Sequence, residues 1–163
     1  DRRGIGKSGT LAWRLSGDLK YFKELTSSTL DTNKKNAVIM GRKTWDSLPE
    51  KFRPLPGRIN VVLSQNPKLQ LPSGVLLFSN IDEAVKSLSF NNDVDEIFVI
   101  GGGQIYAQSL MHPACKTLFI THVKGDYNCD TIFPSIPIIF KLIEESEPLN
   151  ESSIQYRFAE YQK

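Results

Sequence analysis

The fold is decided by Glu96-Ile-Phe-Val-Ile-Gly-Gly-Gly-Gln-Ile-Tyr106, where a continuously apolar run meets three glycines and then a helical pattern. An apolar run without alternation reads as a strand covered on both faces, the habit of parallel sheets. Outward from it the same order recurs. Residues 37–40, 59–63, 75–78 and 118–121 are further β-rich runs, and helix-like stretches occupy 18–27, 43–48, 81–88 and 104–110. Strand and helix alternate, which predicts an α/β domain with a largely parallel sheet. The tail differs. Ser153-Ile-Gln-Tyr-Arg-Phe-Ala-Glu-Tyr161 alternates apolar and polar with a period of two, as a half-exposed antiparallel strand does. The expected architecture is therefore one domain: a mixed, mostly parallel central sheet, an antiparallel C-terminal strand and about four flanking helices.

Composition narrows the function classes. At 163 residues the chain can remove roughly two-thirds of its unfolded surface from water. With 40% hydrophobic and 23% charged residues it has an ordinary globular balance rather than a disordered one. A net charge of +2 is too small for a broad nucleic-acid footprint. Lys34, Lys35, Arg42, Lys43, Lys51, Arg53 and Arg58 nevertheless concentrate in one stretch, which suits a small anionic ligand. No apolar stretch has transmembrane length and no signal-peptide pattern opens the chain, so no membrane partner is expected. Cys115 and Cys129 make no disulfide framework and read as reduced thiols. The expected location is the cytoplasm, or an organelle if a targeting segment has been removed. Together with His112 and His122 the cysteines match no zinc spacing, and no metal is expected.

Asp18 stands out for the company it keeps, inside Leu11-Ala-Trp-Arg-Leu-Ser-Gly-Asp-Leu-Lys-Tyr-Phe22. If a helix starts at Ser16, Asp18 and Phe22 share a face, setting a carboxylate beside an aromatic ring. That pair suits a flat heteroaromatic ligand with amide-like donors, since a carboxylate accepts two parallel N–H bonds. The plainer account makes Ser16 an N-cap and Asp18 a first-turn acid answering the helix dipole. Local pattern leaves both open.

Two strand ends look ready for phosphate. Ile100-Gly-Gly-Gly103 lets backbone approach a ligand without Cβ interference, just before a helix start offering free N–H groups. Gly41-Arg-Lys-Thr44 repeats the logic with two cations and a hydroxyl, and Ser64-Gln65 ends a third strand with another hydroxyl and an amide. Two phosphate-competent ends suggest a dinucleotide. Gly4-Ile-Gly-Lys-Ser-Gly9 matches G-x-G-x-x-G literally but lacks a strand before it and a clear helix after it. It reads as a mobile loop, either closing over a substrate or merely linking.

Taken in order, Gly4-Ile-Gly6, Leu11-x-Trp13-x4-Asp18-Leu-x-x-Phe22, Met40-Gly-Arg-x-Thr-Trp45, Arg53-Pro-Leu-Pro-Gly-Arg58-x-Asn60, Ile100-Gly-Gly-Gly103-x-x-Tyr106 and Thr131-x-Phe-Pro134 closely resemble dihydrofolate reductase. The 34–45 stretch is most similar to the reductase portion of plant bifunctional reductase–thymidylate synthases. The resemblance implies NADPH-dependent reduction of 7,8-dihydrofolate to 5,6,7,8-tetrahydrofolate, with hydride going to C6 and a proton to N5, in service of one-carbon metabolism and thymidylate synthesis. It implies that Asp18 holds the pterin's pyrimidine edge and supports N5 protonation, with Thr121 bonding Asp18 and Trp13 completing the catalytic group. Phe22, Leu48 and Leu55 would line the substrate pocket, and Arg58 would pair the glutamate tail's α-carboxylate. For NADPH it implies Ile5, Gly6, Leu11 and Tyr106 around the nicotinamide, and Arg42, Lys43, Ser64 and Gln65 around the 2′-phosphate. Thr44 and the turn of Gly41, Ile100, Gly101, Gly102, Gly103, Gln104 and Ile105 would serve the pyrophosphate. Antifolates are implied as ligands, and a fused thymidylate synthase beyond Lys163 as a partner.

Two departures from the family pattern carry expectations. Ala12 stands where the family usually has Pro, releasing a φ constraint in the loop from Gly6 to Trp13. The family's first strand, whose removal splits the sheet, would precede Asp1, so residues 1–163 read as a reductase domain lacking that strand. The competing readings are a pterin or pyrimidine reductase of another pathway, and a nucleotide-binding module without the pterin pocket.

Overall fold

The structure, a computed structural model, describes residues 2–163. In chain order its elements are β1 (Gly4–Gly6), α1 (Ser16–Ser27), β2 (Lys35–Gly41), α2 (Arg42–Ser47), a 3-10 turn (Glu50–Phe52), β3 (Ile59–Leu63), β4 (Leu76–Phe78), α3 (Ile81–Ser89), β5 (Val94–Gly101), α4 (Gly103–Met111), β6 (Thr117–Val123), β7 (Thr131–Ile132), β8 (Lys141–Glu145), β9 (Leu149–Glu151) and β10 (Ile154–Gln162). They fall into two compact units: the chain up to Tyr21 with Leu110–Lys163, and Phe22–Ser109.

The Phe22–Ser109 unit is built on a parallel sheet in the order β4-β3-β2-β5. Successive side chains of a strand point to opposite faces, so the apolar residues Ala37–Met40 of β2 and Val61–Leu63 of β3 supply both. Ala37, Ile39, Val61 and Leu63 pack with Ile81, Ala84 and Leu88 of α3, whereas Val38, Met40 and Val62 pack with Trp45 and Leu55. Each fully buried Val, Ile or Met contributes roughly 1.5–3 kcal/mol relative to exposure, which is why this sheet carries the core. Helix α3 starts where the Asn80 side chain accepts the Glu83 N–H over 2.9 Å. The buried Asn36 ties the end of α1 to the sheet, donating to the Ser28 carbonyl and accepting from the Glu96 N–H of β5.

In the other unit β6, β10 and β8 form an antiparallel sheet, with β9 also pairing β10. Ser152 and Ser153 make the β9–β10 turn at φ 49° and 64°, the left-handed pair that matches strand twist in a two-residue hairpin. Leu110, Leu118 and Phe140 form this unit's buried cluster.

The predicted strands, the four helices and the antiparallel C-terminal strand are all present, but the 118–121 run, expected with the parallel set, is β6 and pairs antiparallel with β10. The antiparallel part is larger than predicted: β8 and β9 pair with β10, β7 pairs with β1, and hydrogen bonding gathers these strands into sheets of their own rather than one continuous sheet. The loop predicted at Gly4–Gly9 is also corrected. Gly4–Gly6 is a strand paired with β7, and the chain then doubles back through mutual hydrogen bonds between Lys7 and Thr10. Glycine is required there because a Cβ on Gly4 would lie 2.5 Å from the Cys129 Cβ. Close packing, not mobility, explains the residue.

Candidate active site

Asp18 lies in the first turn of α1, and its Oδ1 accepts the Thr121 hydroxyl from β6 at 2.6 Å. Partial burial pushes the Asp18 carboxyl above its ordinary value of 3.8; the Thr121 bond opposes that push and the nearby negative charge of Glu151 adds to it. The acid is thus set up to exchange a proton nearer neutrality than a solvated aspartate does.

The turn that carries it is held from outside the helix. Ser16 is the first helical residue rather than an N-cap accepting a helical N–H, as the plainer account supposed. Its hydroxyl donates to Glu151 Oε1, which also accepts the Ser16 N–H at 2.7 Å, while Oε2 accepts the Gly17 N–H at 3.0 Å. A carboxylate at a helix N-terminus satisfies orphan donors and meets the positive end of the dipole. Gly17 leaves room for the buried Tyr156, whose hydroxyl would lie 2.2 Å from a Cβ placed there. One turn on, Tyr21 stacks on Phe158 with ring centroids 4.0 Å apart. Nearby in sequence, Trp13 meets Tyr127 edge-on at 5.1 Å. Ile5 is half-buried on β1, Gly6 is buried where an added Cβ would lie 3.1 Å from the Thr10 carbonyl, and Leu11 is exposed.

In the Phe22–Ser109 unit a second constellation surrounds Arg58. Arg58 is 8% exposed as a residue, and its guanidinium donates from Nη1 to Thr26 Oγ1 at 2.8 Å and from Nε to the Pro56 carbonyl and lies 5.9 Å from the Phe22 ring centre. Among the described residues it meets no carboxylate, and burial lowers its proton affinity. Asn60, also buried, pins the turn before it by bonding both backbone groups of Leu55 and the Arg58 carbonyl. Phe22 and Leu48 pack around the cluster that contains buried Leu55. The predicted substrate residues of this unit are therefore neighbours, with Leu55 serving the core as well.

The predicted cofactor residues of the same unit divide into cradle and cation. Gly101, at φ 140°, and Gly102 both back onto Thr44: added Cβ atoms would lie 3.1 and 3.2 Å from its Oγ1. Gly41 similarly meets Ile105. Ile100 is the penultimate residue of β5, and Gly103 opens α4 with Gln104 exposed and Tyr106 half-buried. Arg42 is paired with Asp46 at 2.6 Å across a half-exposed surface. Such a pair is worth about 0–1 kcal/mol, so a doubly charged phosphate can compete for the guanidinium. Lys43 is exposed. Ser64 Oγ accepts the Asn66 N–H, and the Gln65 amide donates to the Ser79 carbonyl, so Gln65 is committed within the chain. Bare backbone, a helix start and two surface cations fit a dinucleotide phosphate.

Sequence reasoning missed Glu151, Tyr156 and Thr26. None carries a local signal, because each acts on a residue at least 32 positions away.

Residues 1–163 match the family described as Dihydrofolate reductase. The chain is 41% identical over 171 residues to the Dihydrofolate reductase of Heliothis virescens, covering 100% of this chain and 92% of that protein. It is 42% identical over 161 residues to the Dihydrofolate reductase of Drosophila melanogaster, covering 95% and 88%. It is also 42% identical over 164 residues to the Bifunctional dihydrofolate reductase-thymidylate synthase of Zea mays, covering 97% of this chain but only 32% of that protein.

Proposed function

The chain belongs to the dihydrofolate reductase family, and from that premise we propose that it reduces 7,8-dihydrofolate to 5,6,7,8-tetrahydrofolate with NADPH. The observation that carries the reading is the Asp18–Thr121 pair: a half-buried acid, raised in proton affinity, with one oxygen fixed by a hydroxyl. Oδ2 is left to accept from the pterin's amino and ring N–H groups, and the acid's proton affinity favours a protonated N5. The chemistry a bound NADPH supplies is hydride donation to C6. Thr44 and the Gly101–Gly103 backbone would hold its pyrophosphate, and Arg42 and Lys43 its 2′-phosphate. Arg58 supplies the buried cation that a glutamate tail's carboxylate would neutralise. The last point favours a folate over a simple pterin, which has no tail to meet it.

The similarity to plant proteins named bifunctional supports a thymidylate synthase, on the same chain or another, as a consumer of the folate product. The test is direct. Purified protein should oxidise NADPH only when dihydrofolate is added, and tetrahydrofolate should accumulate in equal amount. NADPH binding without turnover would leave a nucleotide-binding module instead.

A further inference from the structure

Glu151 lies at the end of β9, immediately before the Ser152-Ser153 turn. Its two oxygens accept three hydrogen bonds from Ser16 and Gly17, the residues just ahead of Asp18. The hairpin register fixes where that carboxylate sits, since Glu151 is opposite Ile154 and Leu149 opposite Tyr156. Tyr156 then reaches the space left by Gly17. The β9–β10 hairpin thus grips the turn carrying the candidate proton-handling acid by its backbone, and does so with a negative charge.

We propose that Glu151 is a positioning residue for Asp18, fixing the first turn of α1 through its hydrogen bonds and biasing, through its charge, the proton that Asp18 handles. Among the described residues, the polar groups that interact with Asp18 are Thr121 from β6, Glu151 from β9, Tyr156 from β10 and Tyr21 from α1 itself. Glu144 and Glu160 act on Tyr21 rather than on Asp18 directly. The two tyrosines are neutral at working pH, so Glu151 is the charge in this group that can move Asp18. Three donated hydrogen bonds hold Glu151 itself ionised well below neutrality. Glu151 therefore carries its charge at neutral pH. The inference rests on the proposed role of Asp18 and adds what sets that residue's working range.

The experiment is a 13C carboxyl NMR titration of Asp18 in wild type, Glu151→Gln and Ser16→Ala, alongside pH–rate profiles. Glutamine keeps a carbonyl acceptor for the turn and removes the charge. The Asp18 midpoint should move to lower pH, and turnover above the wild-type midpoint should fall roughly three- to tenfold while turnover at low pH is retained. Ser16→Ala loses a donor but keeps the charge, and should leave the midpoint near wild type. An unmoved midpoint in Glu151→Gln, or an equal move in Ser16→Ala, overturns the charge assignment. A uniform loss of turnover at every pH reduces Glu151 to a structural cap and does the same. Should Glu151→Gln not fold, the wild-type curve decides: the Asp18 resonance must show a second, smaller inflection where Glu151 titrates, and a single inflection overturns the proposal. A midpoint that moves in a protein inactive on dihydrofolate upholds the coupling and overturns only the substrate reading.

Discussion

Thr121 donates its hydroxyl to Asp18 Oδ1 over 2.6 Å, so one of the two carboxylate oxygens is committed to the protein and the other is the one proposed to meet the pterin. Asp18→Asn tests the pair. The amide offers one acceptor in place of two and cannot support protonation, so dihydrofolate reduction at neutral pH should be nearly abolished while NADPH affinity stays within severalfold. Activity should partly return at low pH, where the substrate arrives protonated. Wild-type turnover at pH 7 would remove Asp18 from the mechanism.

The same substitution should alter stability in a pH-dependent way. Asp18 binds its proton more tightly folded than unfolded. As pH rises past 3.8 the unfolded chain releases that proton first, so stability falls and the loss is complete above the folded midpoint. Asp18→Asn, neutral throughout, should compare more favourably with wild type at pH 7 than at pH 3. Urea unfolding at both pH values checks it; the same difference at each would contradict the linkage.

Arg58→Leu should separate ligands by their tails. The guanidinium is buried on Thr26 and Phe22 without a carboxylate among the described residues. Its removal should weaken dihydrofolate and methotrexate by about 2–4 kcal/mol, yet hardly touch an antifolate lacking the glutamate tail. Calorimetry with both ligand types makes the comparison, and equal weakening would indicate general damage to the turn.

Arg42 and Lys43 should govern the choice of cofactor. Replacing both with Ala should lower the preference for NADPH over NADH by roughly 1.5–3 kcal/mol for each charged hydrogen bond lost, with little change in NADH use. Equal kcat/KM for the two cofactors in wild type would refute the phosphate assignment.

Gly17→Ala should destabilise despite improving helix propensity by about 1 kcal/mol. The new Cβ would lie 2.2 Å from the Tyr156 hydroxyl but 3.4 Å from its ring carbon. Overpacking of this kind costs about 1–3 kcal/mol, and adding Tyr156→Phe should recover most of it. Thermal unfolding of the two singles and the double closes the cycle; a double no better than Gly17→Ala would place the strain elsewhere.

What was legible in the sequence follows from how locally each feature is encoded. The Ile59–Leu63 strand was read at its observed bounds because four of its five residues, Ile59, Val61, Val62 and Leu63, favour a strand covered on both faces. Lys35–Gly41 was read two residues short at its start, since Lys35 and Asn36 carry no apolar signal and Asn36 is buried only by bonding Ser28 and Glu96. Lys141–Glu145 is exposed throughout, and Leu149–Glu151 is too short to show alternation, so neither announced itself. Asp18, Thr121, Arg58 and Gly101–Gly103 carried chemistry in their own side chains or lack of them. Glu151 did not, because its role is defined wholly by the partner it meets.

That partner lies far back along the chain. The carboxylate completing the first turn of α1 comes from 135 residues downstream of Ser16, so the turn cannot reach its final form during synthesis until the C-terminal hairpin has emerged and closed. Contacts spanning this much sequence pay their loop-closure entropy before any reward arrives and form late. The order of assembly therefore makes Asp18 one of the last parts of the site to mature, and a nascent or C-terminally clipped chain carries the acid without the grip that aims it.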